Sequence, residues 1–370
     1  MKKKKNSFLQ KTFLFFNYIA IICLLLSYLA TITDPAKNWY FTHFGLGYPF
    51  ILLINILFIL IWVIFRKWYF LLSLIIIIVG YQPLKRTFGF RLATKTSTIN
   101  STTIKLMTWN VHLFKKFGSE LDSSTRTSVL KVIKDEQPDI IGIQEFFTRK
   151  KGVYDMKDSI LNNLNTSHYY YTKSADNDFE SIGVAMFSKY PIVSSGDLKI
   201  NALNSGNKGI WVDVKKGNKI IRIFVVHLAS ISFDPEDYEF LKDVKEDINT
   251  GKDVASSKRI VRKLKDAFIR RSEQVKILKE EMAKCKTPYL LMGDFNDTPA
   301  SYSLAQMTDG IKNGFTEKGS GLAITYNGDF PNFQIDYILS SPQFNFLTYN
   351  IIKKAYSDHY PIRCNVSLPD

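Results

Sequence analysis

The sequence predicts a mixed α+β domain carried behind an apolar N-terminal region, on three observations. Apolar residues fill 8–32, 48–65 and 68–81 with no polar stripe. From residue 104 onward, short apolar runs bounded by Gly, Pro and polar residues recur as buried strands do. Between them, apolar residues return at helical spacing, chiefly over 123–136 and 156–164 and through most of 230–284.

The first run is interrupted early by Gln10, Lys11 and Asn17, yet it suffices to span a ~30 Å hydrocarbon core. Arg66-Lys67 separates the second run from the third, bracketed by Trp62, Trp68 and Tyr69 as interfacial aromatics would be. Buried core helices would show a polar side, and a cleavable signal peptide would be shorter and end in small residues. The expectation is an anchor over 1–84 with about three transmembrane helices (8–32, 48–65 and 68–83). A linker over 85–103 follows, rich in Ser and Thr from 94, and then a domain over 104–370. With Lys2–Lys5 and Arg66-Lys67 on the cytoplasmic side, this multi-pass membrane protein would hold its domain outside the cytoplasm; Lys85, Arg86 and Arg91 argue the other way.

Charge points the same way. Of the net +15, residues 1–100 contribute +11, because Asp34 is their one acid; the rest is only +4. Basicity therefore belongs to the anchor and does not by itself call for nucleic acid. Cys23, Cys285 and Cys364 have neither metal-ligand spacing nor a disulfide framework. No Walker loop, Gly-x-Ser-x-Gly elbow or His-x-x-x-His pair occurs, which excludes P-loop enzymes, α/β-hydrolases and zincins.

Within the domain, 104–111 is strand-like and ends near Asn110. The helix over 123–136 takes Ser124 or Thr125 as its N-cap and stops at Gln137-Pro138. The run 140–145 ends in Gln144-Glu145, a helix covers 156–164, and 182–188 is a strand. A hairpin over 209–214 and 219–226 turns at Lys215–Asn218 and delivers His227. Residues 230–284 are a charged helical insertion (238–248, 254–282) with no strand signal. The run from Pro288 ends in Gly293-Asp294-Phe295-Asn296-Asp297. Gly permits a turn or a close approach, so a carboxylate and an amide leave a rigid element together; an Asp-Asn turn is the plainer alternative. A short helix follows at 302–307. The strand 333–339 holds Asp336 in its interior, and the loop 355–361 carries Asp358-His359 into a last strand.

Asn110, Glu145, His227, Asp294, Asn296, Asp336, Asp358 and His359 thus stand at or beside apolar runs. Burying one ionised carboxylate without a partner is costly, and several together need a shared cation. Glu, Asp and Asn oxygens suit Mg²⁺ or Mn²⁺, and histidines beside carboxylates suit proton transfer near neutral pH.

Six short motifs, Thr108-Trp109-Asn110, Ile143-Gln144-Glu145, Val226-His227, Gly293-Asp294-Phe295-Asn296, Ile335-Asp336-Tyr337 and Ser357-Asp358-His359, resemble in order the motif set of the endonuclease/exonuclease/phosphatase superfamily. That superfamily includes pancreatic-type deoxyribonuclease, exonuclease III type abasic endonucleases, neutral sphingomyelinases and inositol-polyphosphate 5-phosphatases. The resemblance implies a four-layer αββα sandwich with strand ends lining one cleft. It implies hydrolysis of a phosphodiester or phosphomonoester by in-line attack of an activated water, with Mg²⁺ or Mn²⁺. Glu145 would be the main metal ligand, with Asn110 and Asp358 nearby. Asp294 would orient or deprotonate the water and Asn296 would hold the phosphate. His359 would bind a phosphoryl oxygen, its ring fixed by Asp336. His227 would be the second phosphate-side histidine or the leaving-group acid. The resemblance does not supply its acid partner, for which Glu180 and Asp178 are the candidates in the sequence.

The implied partners are the bilayer and a phosphate ester: nucleic acid, phospholipid or a small phosphodiester. No protein partner is evident. A catalytically silent scaffold keeping the fold is the alternative, and the unbroken motifs weigh against it. His43, His112 and His168 read as structural or surface residues, Arg149-Lys150-Lys151 as a solvated loop, and Arg270-Arg271 as a solvated helical face. The insertion reads as a lid or a membrane-facing arm.

Overall fold

A computed structural model of the protein describes residues 7–91, 102–115, 121–200, 208–246, 254–328 and 332–368. The Lys2–Lys5 cluster, most of the Ser/Thr-rich linker and positions 247–253 of the insertion lie outside the described residues.

The chain opens with α1 (Phe8–Ile32), started by a capping box between Ser7 and Gln10. Next come α2 (Tyr40–Leu46), α3 (Tyr48–Ile64), α4 (Phe70–Val79), α5 (Tyr81–Thr87) and the short strand β1 (Phe88–Phe90). Among the described residues, α1 alone is long and apolar enough to cross a membrane by itself. The pairs α2–α3 and α4–α5 reach that length only jointly, and are bent by 65° and 79°. The third expected span is therefore not one straight helix: the 10 residues of α4 rise roughly 15 Å. Large apolar side chains such as Phe15, Ile22, Leu53, Leu60 and Ile78 face outward from this bundle. Its mostly apolar interior holds a polar cluster. Asn17 Nδ2 donates to Ser73 Oγ at 2.7 Å, Ser73 Oγ to Asn55 Oδ1 at 3.0 Å, and Trp62 Nε1 to Asn17 Oδ1 at 2.8 Å. Such interhelical bonds replace hydrophobic contrast where the surroundings are apolar. Leu24 in the second half of α1, Tyr48 at the start of α3 and Ile77 near the end of α4 cluster with Ala300 of the following domain.

That domain runs β2 (Thr103–Asn110), α6 (Ser123–Glu136), β3 (Ile140–Arg149), α7 (Met156–Leu164), β4 (His168–Asp176), β5 (Glu180–Ser188), β6 (Ile192–Leu198), β7 (Gly209–Lys216) and β8 (Lys219–His227). It continues with α8 (Pro235–Glu246), α9 (Val254–Ala283), β9 (Tyr289–Asp294), α10 (Tyr302–Met307), β10 (Lys312–Asn313), α11 (Gly314–Lys318), β11 (Ser320–Leu322), β12 (Asp336–Ser340), β13 (Asn345–Ile351) and β14 (Ile362–Ser367). One six-stranded sheet has the order β13-β14-β2-β3-β5-β4, the other β10-β12-β9-β8-β7-β6; β1 pairs with β11.

The sheets face each other across one core, with Leu106, Ile140 and Met186 opposite Val212, Ile223, Val225 and Met292. At Gly142 a Cβ would stand 2.8 Å from the Val225 side chain, so glycine sets how closely the sheets approach. α6 and α7 cover the outer face of the first sheet through Val129, Ile133 and Ile160, and α9 and α10 cover the second through Val275, Leu278 and Leu304. This is the four-layer αββα sandwich.

Several local expectations are corrected. α6 is capped by Asp122, which accepts from the amides of Ser124 and Thr125, not by either of those residues. β3 does not end at Glu145 but continues to Arg149, and Asp336 opens β12 instead of sitting inside it.

Candidate active site

Three neighbouring strands deliver their ends in register. β8 pairs in parallel with β9, placing His227 beside Asp294, and β9 pairs antiparallel with β12, placing Asp294 beside Asp336. Gly293 makes this possible: its φ is +142° and a Cβ there would lie 2.0 Å from the Val226 carbonyl oxygen. From the facing sheet come Asn110, at the end of β2, and Glu145. Glu145 sits at a β-bulge where the β3–β5 register shifts between Ile143 and Phe146, and its φ of +49° turns it out of the ladder into the cleft. The loop before β14 is pinned to β2: Trp109 Nε1 donates to the His359 carbonyl at 2.9 Å, and Ser357 Oγ to the Asn110 carbonyl at 2.8 Å.

All eight expected residues therefore converge. Asn110 Nδ2 donates both to Glu145 Oε1 (3.2 Å) and to Asp294 Oδ2 (3.1 Å). His359 Nδ1 lies 2.9 Å from Asp336 Oδ2, while its Nε2 stops 3.8 Å from Asp294 Oδ2. His227 Nε2 is 3.7 Å from Asp294 Oδ2 and 3.9 Å from Glu145 Oε1. These are ion-pair distances too long for hydrogen bonds, so the imidazole edges and the carboxylates face a common space. Asn296, at φ +52°, donates its backbone N–H back to Asp294 Oδ1 at 2.8 Å and its side-chain Nδ2 to the Leu228 carbonyl at 3.0 Å.

His112 is the residue that the sequence reading passes over. Its Nδ1 lies 3.1 Å from Asp358 Oδ2, and it lines the same cleft. A tight turn of three left-handed residues, His112, Leu113 and Phe114, puts it there; nothing in a lone His after Asn-Val signals such a turn. The expected acid partner of His227 is also corrected. Glu180 is paired with Arg149 at 3.1 Å, and the acids near His227 are Glu145 and Asp294. Arg271 does not lie on a solvated face: it is 1% exposed, with Nε 3.3 Å from Asp297 Oδ2 and a guanidinium N–H donated to Ala229 O.

Burial raises the Asp294 carboxyl above the usual carboxylate range, against the pull of His359 and His227. For His359, burial works against the charged ring, but the carboxylates of Asp336 and Asp294 outweigh it and hold its pKa well above that of free imidazole. Asp358 is buried too, which favours its neutral form; the hydrogen bond from His112 reverses this and draws it down to about 2.

The donor set facing the cleft fits a hard divalent cation. Glu145 and Asp294 share a neutral amide, and the Glu145 side chain is 31% exposed. Asp294, Asp336 and His359 also offer ligand atoms within 4.8 Å of one another, but His359 Nδ1 is already engaged by Asp336.

Residues 107–359 match the family model described as Endonuclease/Exonuclease/phosphatase family, and the chain belongs to that family. Its members are phosphoesterase hydrolases. Residues 10–87 match a second model, described as a domain of unknown function. No curated protein matches the chain. Among solved structures, an endonuclease/exonuclease/phosphatase from Bacteroides vulgatus aligns with TM-score 0.53 at 16% identity, over 72% of this chain and 100% of that one. A family protein from Bacteroides thetaiotaomicron gives 0.53 at 18%, over 73% and 99%, and one from Beutenbergia cavernae gives 0.50 at 18%, over 72% of each. At such identities these likenesses establish the shared fold.

Proposed function

We propose that the protein is a membrane-anchored, divalent-metal-dependent phosphoester hydrolase. The observation that carries this is the convergence of Glu145, His227, Asp294 and the Asp336–His359 pair on one cleft of about 230 Å³. Asp294 is the group best placed to take a proton from the attacking water, since its raised pKa gives the carboxylate more basicity than an exposed one has. His359, kept charged by its two acid neighbours, presents Nε2–H to a phosphoryl oxygen, and Asp336 holds the ring. His227 is positioned to protonate the departing oxygen. Asn296 positions Asp294, and Asn110 spaces it from Glu145. A cation held by Glu145, with Asn110 and Asp358 beside it, would offset the charge developing on the phosphate.

The anchor is read as three crossings. Asn17 pairs with Trp62 and Ser73, and Leu24, Tyr48 and Ile77 gather at the domain end, so α1 and α4 run toward the domain while α3 runs away from it. In this reading the N-terminus and the domain lie on opposite sides, and with Lys2–Lys5 and Arg66-Lys67 cytoplasmic the domain is outside the cytoplasm. Arg86, one of the charges that opposed this assignment, is buried against the domain and not displayed at the surface.

The test is turnover of bis-p-nitrophenyl phosphate by the full chain in lipid nanodiscs. We expect hydrolysis with Mg²⁺ or Mn²⁺ that EDTA abolishes, and a loss of at least ~10²-fold in Glu145→Ala. Absence of EDTA-sensitive turnover would leave the silent scaffold as the reading.

A further inference from the structure

The cleft has two unlike ends. One is the polar set described above. The other is apolar: Leu46 from α2, Ile231 and Phe233 from the segment after β8, Leu264 and Phe268 from α9, and Phe333 before β12. Most of these form a small core of their own, in which Leu46 packs with Ile231, Phe233, Leu264 and Phe268. The anchor packs closely against the domain beside this wall. At Gly45 a Cβ would stand 2.6 Å from the Ala300 carbonyl oxygen, and Lys276 on α9 holds Asp34 at 2.6 Å. The wall also continues outward. Phe333 meets Phe50 edge-to-face at 6.4 Å, and Phe50, near the start of α3, is 56% exposed among the outward-facing apolar residues of the anchor.

Resting on the hydrolase reading above, we propose that the substrate is an amphiphile, a phosphoester whose hydrocarbon chain lies along this wall while its phosphate meets Asp294 and His359. The chain would enter from the bilayer past Phe50 and Phe333. A polynucleotide fits poorly. Among the described residues, the lining contains a single Lys or Arg, Arg271, and that one is buried against Asp297; nucleic-acid binding draws on several cations along a backbone. The reaction itself is ordinary hydrolysis. Water oxygen bonds phosphorus, the P–O bond to the leaving alcohol breaks, and that oxygen is protonated.

The experiment uses the full chain in nanodiscs and p-nitrophenyl alkyl phosphodiesters with methyl, butyl and octyl groups, with release of p-nitrophenolate as the readout. Each methylene that reaches the wall is expected to raise kcat/KM about 3- to 4-fold until the wall is filled. Leu46→Gln and Ile231→Gln should flatten that dependence. Equal kcat/KM for methyl and octyl, with EDTA-sensitive turnover intact, would overturn the substrate assignment and leave the hydrolase standing. No turnover of any ester would instead sink the hydrolase reading. A chain-length dependence identical in both variants would mean that partitioning into the nanodisc causes it, and would overturn the wall. A competing single-stranded oligonucleotide should not inhibit; if it outcompetes the octyl ester, the substrate is a polynucleotide. Release of headgroup phosphate from a two-chain phospholipid in the disc, compared with the soluble octyl ester, separates a bilayer lipid from a dissolved amphiphile as the source.

Discussion

Two buried polar clusters, one in the anchor and one in the cleft, teach opposite lessons. In the anchor, Asn17, Asn55, Ser73 and Trp62 are neutral and bond to one another, and Asn55 also gives Nδ2 to the Ala20 carbonyl. The network closes on itself and leaves nothing to offer a ligand. In the cleft, the two histidines beside Asp294 stop short of it. His227 and His359 hold their Nε2 atoms 3.7 and 3.8 Å from Asp294, and Asp336 Oδ1 is buried without a hydrogen bond. Folding alone favours the first arrangement, because unsatisfied buried groups are costly. Polar groups held apart around a shared space are what a site awaiting a substrate looks like.

The largest expected effect breaks the cleft side of that contrast. Asp294→Ala and His359→Ala should each lower kcat by at least ~10²-fold, the scale of a lost proton acceptor or oxyanion donor. His359→Ala should also lower thermal stability, because it leaves the buried Asp336 carboxylate without its 2.9 Å partner. Near-normal rates in either variant would show that the roles are misassigned. Arg271→Met comes next. It would leave Asp297 buried at 3% exposure with no counter-charge, and removing one partner of such a pair costs about 3 kcal/mol or more, measurable by urea unfolding in nanodiscs. Asn55→Leu acts on the anchor cluster. It should cost about 1 kcal/mol of stability and leave turnover unchanged, whereas a drop in kcat would mean that the two clusters are coupled.

The same contrast explains what could be read from the sequence. The cleft residues were legible because each ends or breaks an apolar run, and because strand ends meet at one rim of a two-sheet sandwich. Glu145 was found by a rule that does not describe it: the strand passes through it, and a bulge turns it outward. His112 carried no signal, because a left-handed turn of non-glycine residues has no composition of its own. The outer strands β4, β6 and β13 were missed because they are only partly buried, so alternation in them is weak. Arg271 could have been placed. It lies in step with Leu264, Phe268, Val275, Leu278 and Met282, at the spacing of a helix's buried face, and a charge in that row is a buried charge. The anchor network lay hidden because Asn17, Asn55, Ser73 and Trp62 each stand singly within long apolar runs.

A milder ionic cluster ties the insertion together and sharpens the comparison further. Asp237 is buried at the start of α8. Its oxygens meet Arg259 Nε at 2.6 Å and Lys263 Nζ at 2.5 Å, while those cations remain 37% and 22% exposed. Burial alone would raise the carboxyl; the hydrogen bonds from Lys263, the Asp234 amide and Arg259 bring it down to about 2. A depressed acid stabilises the fold fully above its unfolded pKa of about 3.9, and that contribution fades as pH falls through the folded value. The difference in Tm between the wild type and Asp237→Asn should therefore be present at pH 6 and vanish near pH 2. With the cations open to water it should correspond to no more than about 1 kcal/mol. A difference that persists at pH 2 would mean that the Asp237 carboxylate is not what clamps α8 to α9, and that the apolar contacts of Phe233 and Phe240 with Leu264 and Phe268 hold the wall without it.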